Sequence, residues 1–136
     1  MIVSGSIHGK FEEFVNKLIE NDIKSKNIIQ CGNLGLGKDD DENRKNLHYL
    51  NQKLDELHCR LFAVRGNEDN PEYFKGGRDF PNIRLVEDHS LLKIGDHKIF
   101  FLGGGITMEP DPVKYFRNEN IHLDESQITK AADADI

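Results

Sequence analysis

The chain has 136 residues, a formal charge of −6 at pH 7, 37% hydrophobic residues and 31% charged residues. This length predicts one domain, residues 1–136, with a single core, and the composition is that of a folded soluble protein rather than a disordered one. The acidic balance argues against a nucleic-acid partner, which would need a basic surface, and no apolar stretch approaches the ~18 residues of a membrane span.

The first half of the chain alternates short apolar runs with amphipathic segments. A strand is predicted over 1–4, followed by a helix over 10–22, because apolar residues recur there at helical spacing: Phe11, Phe14, Val15, Leu18 and Ile19. A buried strand over 27–31, a helix over 42–57 and a buried strand over 60–64 come next. One face of the second helix is marked by Leu47, Leu50, Leu54 and Leu57. This β-α-β-α-β order predicts an α/β fold with a three-stranded parallel core and helices packed on it.

The second half has a different pattern. Short strands are predicted over 83–86, 90–94 and 98–102 with no helix between them, so a β-meander should follow the parallel core. The tight-turn sequence Gly95-Asp96-His97 pairs the last two strands as a hairpin. A short helix over 124–132 begins with a capping-box pattern, an Asp followed three residues later by Gln.

An acidic run, Asp39-Asp40-Asp41-Glu42, stands just before the second predicted helix. Two interpretations are open. Carboxylates at this position complement the positive end of the helix dipole, and that is the ordinary role of such a run. The alternative is a cation-binding loop.

The two cysteines, Cys31 and Cys59, are too few for a disulfide scaffold and form no CxxC pair. The N-terminus does not have the pattern of a signal peptide, so a cytoplasmic location with reduced thiols is expected. Cys31 ends one predicted strand and Cys59 begins another. In a parallel sheet the two thiols would lie at opposite ends, too far apart to bridge.

Each of the first three predicted strands ends in a glycine followed by polar residues. The three sequences are Gly5-Ser6-Ile7-His8-Gly9, Gly32-Asn33-Leu34-Gly35 and Arg65-Gly66-Asn67-Glu68-Asp69-Asn70. Parallel strands deliver such loops to one edge of the sheet, where ligand sites form. The sequence therefore predicts a single cleft that contains Ser6, His8, Asn33 and Asn67.

At this spacing the three motifs, with the later Leu102-Gly103-Gly104-Gly105, resemble the N-terminal half of the calcineurin-like metallophosphoesterases. The resemblance implies half of that family's α/β sandwich, a phosphoester substrate, and a site for two divalent metals such as Mn, Fe or Zn. It also implies that the family's C-terminal part, which supplies further histidine ligands and much of a second sheet, is lacking here.

The departures from the family pattern fall on its central residues. Ser6 stands where the family has its first aspartate, Asn33 where it has the metal-bridging aspartate, and Glu68 where it has the catalytic histidine. Only His8 and Asn67 keep ligand types of the family. Two divalent cations about 3.5 Å apart repel by roughly 19 kcal/mol at an effective dielectric of about 20, so a bridging carboxylate is needed to offset that repulsion. No metal cofactor is therefore expected in this chain.

Ordinary interpretations of these residues remain open. In these interpretations His8 is a loop histidine that makes a hydrogen bond, and Asn33 and Asn67 are turn residues, since asparagine tolerates left-handed backbone. Glu68 is either a solvated loop acid or a surrogate general acid in place of the family's histidine. Ser6 fits a small polar filler better than a nucleophile, because no base is placed beside it by the sequence.

Three functions follow from these alternatives. The first is a catalytically inactive metallophosphoesterase-like domain, either a pseudoenzyme or a truncated or inactivated variant. The second is an active metal-dependent phosphoesterase with an altered site, completed by residues of another chain or by Glu68 and Asp69. The third is a binding or assembly module that uses the fold as a scaffold. A missing second half would expose apolar side chains of the later strands and favour a homo-oligomer or a partner chain: Leu91, Ile94, Ile99 and Phe101. Alternatively, the helix over 124–132 covers that face with Ile128 and Ala131.

Overall fold

The computed structural model describes residues 1–105 and 124–136. The strands are β1 (Ile2–Ser4), β2 (Asn27–Cys31), β3 (Arg60–Val64), β4 (Arg78–Asp79), β5 (Ile83–Val86), β6 (Ser90–Ile94) and β7 (His97–Phe101). The helices are α1 (Phe11–Glu20), α2 (Asp40–Glu56) and α3 (Glu125–Ala132), with one 3-10 turn at Pro71–Tyr73. The α/β class and the β-α-β-α-β order of the first half are confirmed.

The main sheet has five strands in the order β1-β2-β3-β5-β4. The first four of these are parallel to one another, and β4 is antiparallel to β5. The expectation of a three-stranded parallel core followed by a meander is therefore wrong for β5, which pairs with β3 through Leu61 and Ile83. Ile83 and Leu85 are fully buried and Val86 nearly so. Apolar burial on both faces of the strand is what a central position in a parallel sheet requires.

Helices α1 and α2 cover one face of the main sheet. Their buried side chains, among them Val15, Leu18, Leu50 and Leu54, form one core cluster with Ile28, Leu61 and Leu85 of the strands. The helical spacing therefore identified the correct face of each helix, with one exception. Ile19 was expected in the α1 stripe, but it is 55% exposed because it lies at the edge of that face.

Asp39 is the N-cap of α2. Its side chain accepts hydrogen bonds from the backbone N–H groups of Glu42 and Asp41, at 3.0 and 2.9 Å, and these bonds lower the pKa of its carboxyl. The helix begins at Asp40, two residues earlier than predicted, and the rest of the acidic run forms its first turn. Of the two interpretations of this run, the structure supports the helix-capping one.

The hairpin of β6 and β7 forms a separate two-stranded sheet. Ile94 pairs with His97 across a turn in which Gly95 has a φ of 61°, a value that favours glycine. The inner side chains Ile94, Ile99 and Phe101 are only 3–4% exposed, because they pack on the second face of the main sheet with Ile29, Phe62, Val64 and Val86. The molecule thus has three layers: helices, main sheet and hairpin.

Two expectations about this face are corrected. The side chains Ile94, Ile99 and Phe101 are buried rather than exposed, and Leu91 is half-buried. Helix α3 forms with the predicted capping box between Asp124 and Gln127, but none of its residues is buried, and Ile128 is 54% exposed. The main sheet therefore covers the hairpin's apolar side, so these side chains do not form an exposed apolar face for self-association.

Both cysteines are unpaired, as predicted. Cys31 is exposed and Cys59 is buried. The two C-terminal residues run beside β7: Asp135 N donates to Lys98 O at 2.7 Å, and Phe100 N donates to Ile136 O at 3.0 Å. Among residues 1–105 and 124–136, no helix combines the length and the apolar character needed to cross a bilayer.

Replacing Phe101 with alanine tests the packing of the hairpin. Removal of a buried phenyl ring should lower the free energy of unfolding by about 3–5 kcal/mol. The matched control is Ile128→Ala on exposed α3, which should change it by less than about 0.5 kcal/mol. Urea denaturation followed by circular dichroism measures both. Equal effects of the two substitutions would contradict the observed packing.

Candidate functional site

The loops that follow β1 and β2 are joined by backbone hydrogen bonds. Ile7 N and His8 N both donate to Asn33 O, at 3.0 and 2.8 Å, and Gly9 N donates to Leu34 O at 3.0 Å. The two loops therefore lie side by side at the carboxyl edge of the main sheet, where parallel strands deliver them.

Asn33 connects the second loop to the third. Its backbone is left-handed, with a φ of 53°, as the turn interpretation of this residue expects. Its Nδ2 donates to Asn67 Oδ1 at 3.2 Å, and its Oδ1 accepts from Glu68 N at 3.1 Å. Both ends of the Asn33 amide are thus engaged by the third loop.

This arrangement requires glycine at position 66 of the third loop. A Cβ on Gly66 would overlap the backbone nitrogen and the side-chain oxygen of Asn33. On the second loop, a Cβ on Gly35 would overlap the backbone of His8 and Gly9. Gly35 and Gly66 therefore allow close contact between neighbouring loops.

His8 also has a left-handed backbone, with a φ of 51°, and its ring reaches the third loop. Its Nδ1 lies 3.1 Å from Oε2 of Glu68, in a pair that is partly open to solvent. Glu68 is therefore not a freely solvated acid but the partner of a histidine 60 residues away. Such a pair combines an imidazole with a carboxylate that orients it.

Ser6 lies apart from this network. It is exposed and borders a small depression of about 240 Å³ together with His8, Lys10 and Lys17. Within the described part of the chain, no hydrogen bond joins Ser6 to His8, Asn33 or Asn67. The structure thus brings together His8, Asn33, Asn67 and Glu68, and leaves Ser6 at their margin.

The residue that organises the loops is Asp69, which the sequence indicated only as a residue that, with Glu68, would complete an altered enzyme site. It is 1% exposed, and its carboxylate accepts four backbone hydrogen bonds. The donors are Leu34 N at 3.0 Å, Gly35 N at 2.8 Å, Leu36 N at 3.1 Å and Gly66 N at 2.8 Å. These four bonds occupy the acceptor sites of a carboxylate, so Asp69 serves as a structural anion rather than as a metal ligand or an acid.

Gln30 supports the first two loops from beneath. It is fully buried in β2, and its Nε2 donates to Gly5 O at 3.3 Å and to Gly32 O at 2.5 Å. Its Oε1 has no hydrogen-bond partner within the described ranges. The sequence signal for this role was Gln30 itself, a polar residue inside the otherwise apolar run of β2.

An ion pair brings the glycine-rich end of β7 to the same edge. Arg65 contacts Asp88 at 2.7 Å, and both side chains are largely shielded from solvent. Asp88 Oδ1 also accepts from Gly103 N at 3.1 Å, while Gly104 N donates to Arg65 O at 2.9 Å. The segment after β7 is therefore fixed against the third loop.

These loops and β7 enclose a cavity of about 300 Å³. Gly32, Asn33 and Asn67 line its polar end, and Cys31 lies at its border. Cys31 has an exposed surface, yet partial burial of its thiol raises its pKa. The thiol is therefore neutral near pH 7 and a poor nucleophile, because the thiolate is the reactive form.

The donor set does not fit the two metals that the family resemblance implies. In the part of the chain that the structure describes, no group of three or more His, Cys, Asp and Glu side chains converges on a common point. Asn33 and Asn67 bond to each other, Glu68 contacts His8, and Asp69 is filled by backbone donors. Among the described residues of the three motifs, Glu68 is thus the one carboxylate that backbone donors do not surround, and a single negative charge is too little for two adjacent cations.

No protein-family model, curated protein or solved structure matches the chain. Function is therefore inferred from the loops themselves and from the motifs they carry. The geometry indicates three preorganised loops at a sheet edge, with one imidazole–carboxylate pair at their surface.

Replacing Asp69 with asparagine tests its role as the common acceptor. The substitution keeps the shape but turns an NH2 group toward backbone donors, so the free energy of unfolding should fall by about 2–4 kcal/mol. Asp96→Asn, in the exposed hairpin turn, is the control and should change it by less than about 0.5 kcal/mol. Urea denaturation at neutral pH compares them. If the two variants unfold alike, Asp69 does not organise the loops.

Proposed function

We propose that this chain is a metallophosphoesterase-like domain in which the carboxyl-edge loops are kept but two-metal catalysis is not. The observation that carries the proposal is the Asn33 amide, which donates to Asn67 and accepts from Glu68. The family resemblance puts a metal-bridging carboxylate at this position. Here the same position holds the loops together with neutral hydrogen bonds.

Charge supports this proposal. Of the residues at the resemblance's site positions, Ser6, Asn33 and Asn67 are neutral, and Glu68 is the one carboxylate. Two divalent cations at about 3.5 Å repel by roughly 19 kcal/mol at an effective dielectric of about 20. The single carboxylate of Glu68 on the third loop does not offset that repulsion. The carboxylate of Asp69 is already bonded to four backbone donors. The proposed domain thus keeps the fold of the phosphoesterases without their catalysis. We also propose a cytoplasmic location for it.

The alternative is a phosphoesterase with an altered site, and one observation favours it. His8 and Glu68 lie 3.1 Å apart, within the reach expected of a general base and the group that orients it. The pair is partly solvent-exposed, so it is accessible to a substrate. No hydrogen bond joins Ser6 to His8 in the described structure, so Ser6 is not placed as the nucleophile of this pair.

Manganese titration by calorimetry separates these functions. The unmodified chain should bind Mn²⁺ weakly, with a Kd above about 1 mM. The double variant Ser6→Asp/Asn33→Asp should tighten binding at least about tenfold, because it returns two charges to the loops. Asn16→Asp/Ser25→Asp adds the same two charges at exposed positions elsewhere and should leave the affinity unchanged. Equal gains in the two double variants would show that the loops are not a degenerate metal site.

Hydrolysis of para-nitrophenyl phosphate tests catalysis directly. We expect the purified chain to give the background rate with or without Mn²⁺. Turnover that persists through purification and is lost in both His8→Gln and Glu68→Gln would establish the altered-site enzyme instead. Lys93→Gln, an exposed substitution on β6, is the control for a contaminating activity, which none of the three substitutions would remove.

A further inference from the structure

The main sheet has two outer edges, and β1 forms one of them. β1 is hydrogen-bonded to β2 on one side, and among the described residues no strand pairs with its other side. An unpaired strand of this kind offers backbone N–H and C=O groups to a further strand. We call this surface the β1 edge and define it by residues 2–4 and the side chains that stand beside them: Lys10, Glu13, Phe14 and Lys17.

The other strand edges of the described structure carry features that oppose further pairing. β4, at the far end of the main sheet, consists of Arg78 and Asp79, and both are charged. In the hairpin, β6 contains Lys93, and the outer side of β7 is bonded to the backbone of residues 135–136. Charge, short length and coverage are the usual means by which proteins block edge pairing. By contrast, the side chains of residues 1–7 are all uncharged, so the β1 edge has no such charge.

The apolar second face of the main sheet continues onto β1 beyond the hairpin. Val3 is in register with Ile29 of β2, and side chains at paired positions of adjacent strands lie on the same face. Ile29 is 7% exposed because it packs with the hairpin, whereas Val3 is 64% exposed. The cover that the hairpin gives to this face therefore ends at β2. A strand added to the β1 edge would place a side chain beside Val3 and reduce its exposure.

The side of α1 that borders the β1 edge carries alternating charges. Ser4 lines a shallow depression of about 240 Å³ together with Lys10, Glu13 and Lys17, so these three side chains are on the edge side of α1. Glu20 follows three residues after Lys17 and continues the same side of the helix. The hydrogen bond to Glu13, at 2.8 Å, and the nearby charge of Glu20 both raise the pKa of Lys17. We call Lys10, Glu13, Lys17 and Glu20 the charge row.

The charge row is complementary to its own reverse. When two copies meet through the β1 edge about a twofold axis, their strands and helices run antiparallel. Lys10 of one copy then faces Glu20 of the other, and Glu13 faces Lys17, with each contact made twice. Parallel copies would bring like charges together instead. Because exposed ion pairs exchange partners readily, the pair within α1 does not prevent these contacts. The charge row therefore favours an antiparallel second copy as the occupant of the β1 edge.

The spacing of strands and helices also fits such a pair. α1 connects β1 to β2 and packs on the same face of the sheet as α2. Neighbouring strands are about 4.8 Å apart, so a helix above each β1–β2 pair stands two strand spacings, or about 10 Å, from its copy. Packed helices have axes about 8–10 Å apart. Phe14, which is half-buried, lies on this side of α1 and would meet its copy.

We propose that two copies of this chain associate through the β1 edge. The β1 strands pair antiparallel, with Val3 of one copy beside Val3 of the other, and the two main sheets become one continuous sheet. The α1 helices pack side by side with their charge rows in opposite directions. This interface does not use the hydrogen bonds among the carboxyl-edge loops, so it does not rest on the proposed function.

Sedimentation velocity over a wide range of protein concentrations tests the association. The mass should rise from 15.6 kDa toward twice that value, with a Kd of about 100 µM or tighter. Val3→Lys puts a charge on the edge strand and should weaken association at least about tenfold. Ile128→Lys makes a matched exchange on exposed α3 and should leave the Kd unchanged. A constant mass of 15.6 kDa up to about 500 µM, growth beyond a dimer, or equal effects of the two substitutions would overturn the proposal.

Exchange of charges within the charge row tests the antiparallel direction. Lys17→Glu brings glutamates face to face twice in the dimer and should weaken association at least about fivefold. The double variant Glu13→Lys/Lys17→Glu is again complementary to its own reverse and should restore the original Kd. Thermal melts followed by circular dichroism check that both variants stay folded. If the double variant associates as weakly as Lys17→Glu, or if neither variant changes the Kd, the antiparallel helix contact is refuted.

Discussion

The carboxylate of Asp69 accepts backbone hydrogen bonds from residues that follow two different strands, and the positions of the other loop residues depend on it. A buried carboxylate is stable only when its lost hydration is replaced, and four N–H donors at 2.8–3.1 Å replace it here. These bonds set the distance between the second and third loops. Asn33 can then reach Asn67 and Glu68, and the backbone of Asn33 and Leu34 in turn holds the first loop.

This arrangement separates the shape of the loops from any metal chemistry. The groups that fix the loops are backbone amides, the Asp69 anion and the Asn33 amide, and none of them needs a cation. Neutral residues at the positions of Ser6 and Asn33 therefore leave the architecture of the sheet edge intact. The imidazole–carboxylate pair of His8 and Glu68 remains at the surface, where the polar chemistry of these loops is accessible.

The cavity between α2 and residues 70–82 arises from a different structural requirement. The connection from β3 to β5 contains a 3-10 turn and a short antiparallel strand instead of a full helix, so it does not fill the space beside α2. Hydrogen bonds of Tyr73 and Asn82 attach it to Asp40 and Asn51 of the helix. The carboxyl edge of the sheet and the helix side of the molecule thus each have a concave region, with different side chains in each.

The sequence by itself determined the features that depend on near neighbours: the β-α-β-α-β order, the buried faces of α1 and α2, the acidic start of α2, the capping box of α3 and the turn at Gly95. Each rests on periodicity or on hydrogen bonds within a few residues. It also predicted that three loops share one edge, because parallel strands require it. The tertiary structure alone decided that β5 joins the parallel sheet, that the hairpin's apolar side is buried, that Asp69 gathers donors from 33–35 residues away, and that His8 meets Glu68. These outcomes depend on which surfaces pack together across long sequence separations, and no local pattern in the chain records that choice.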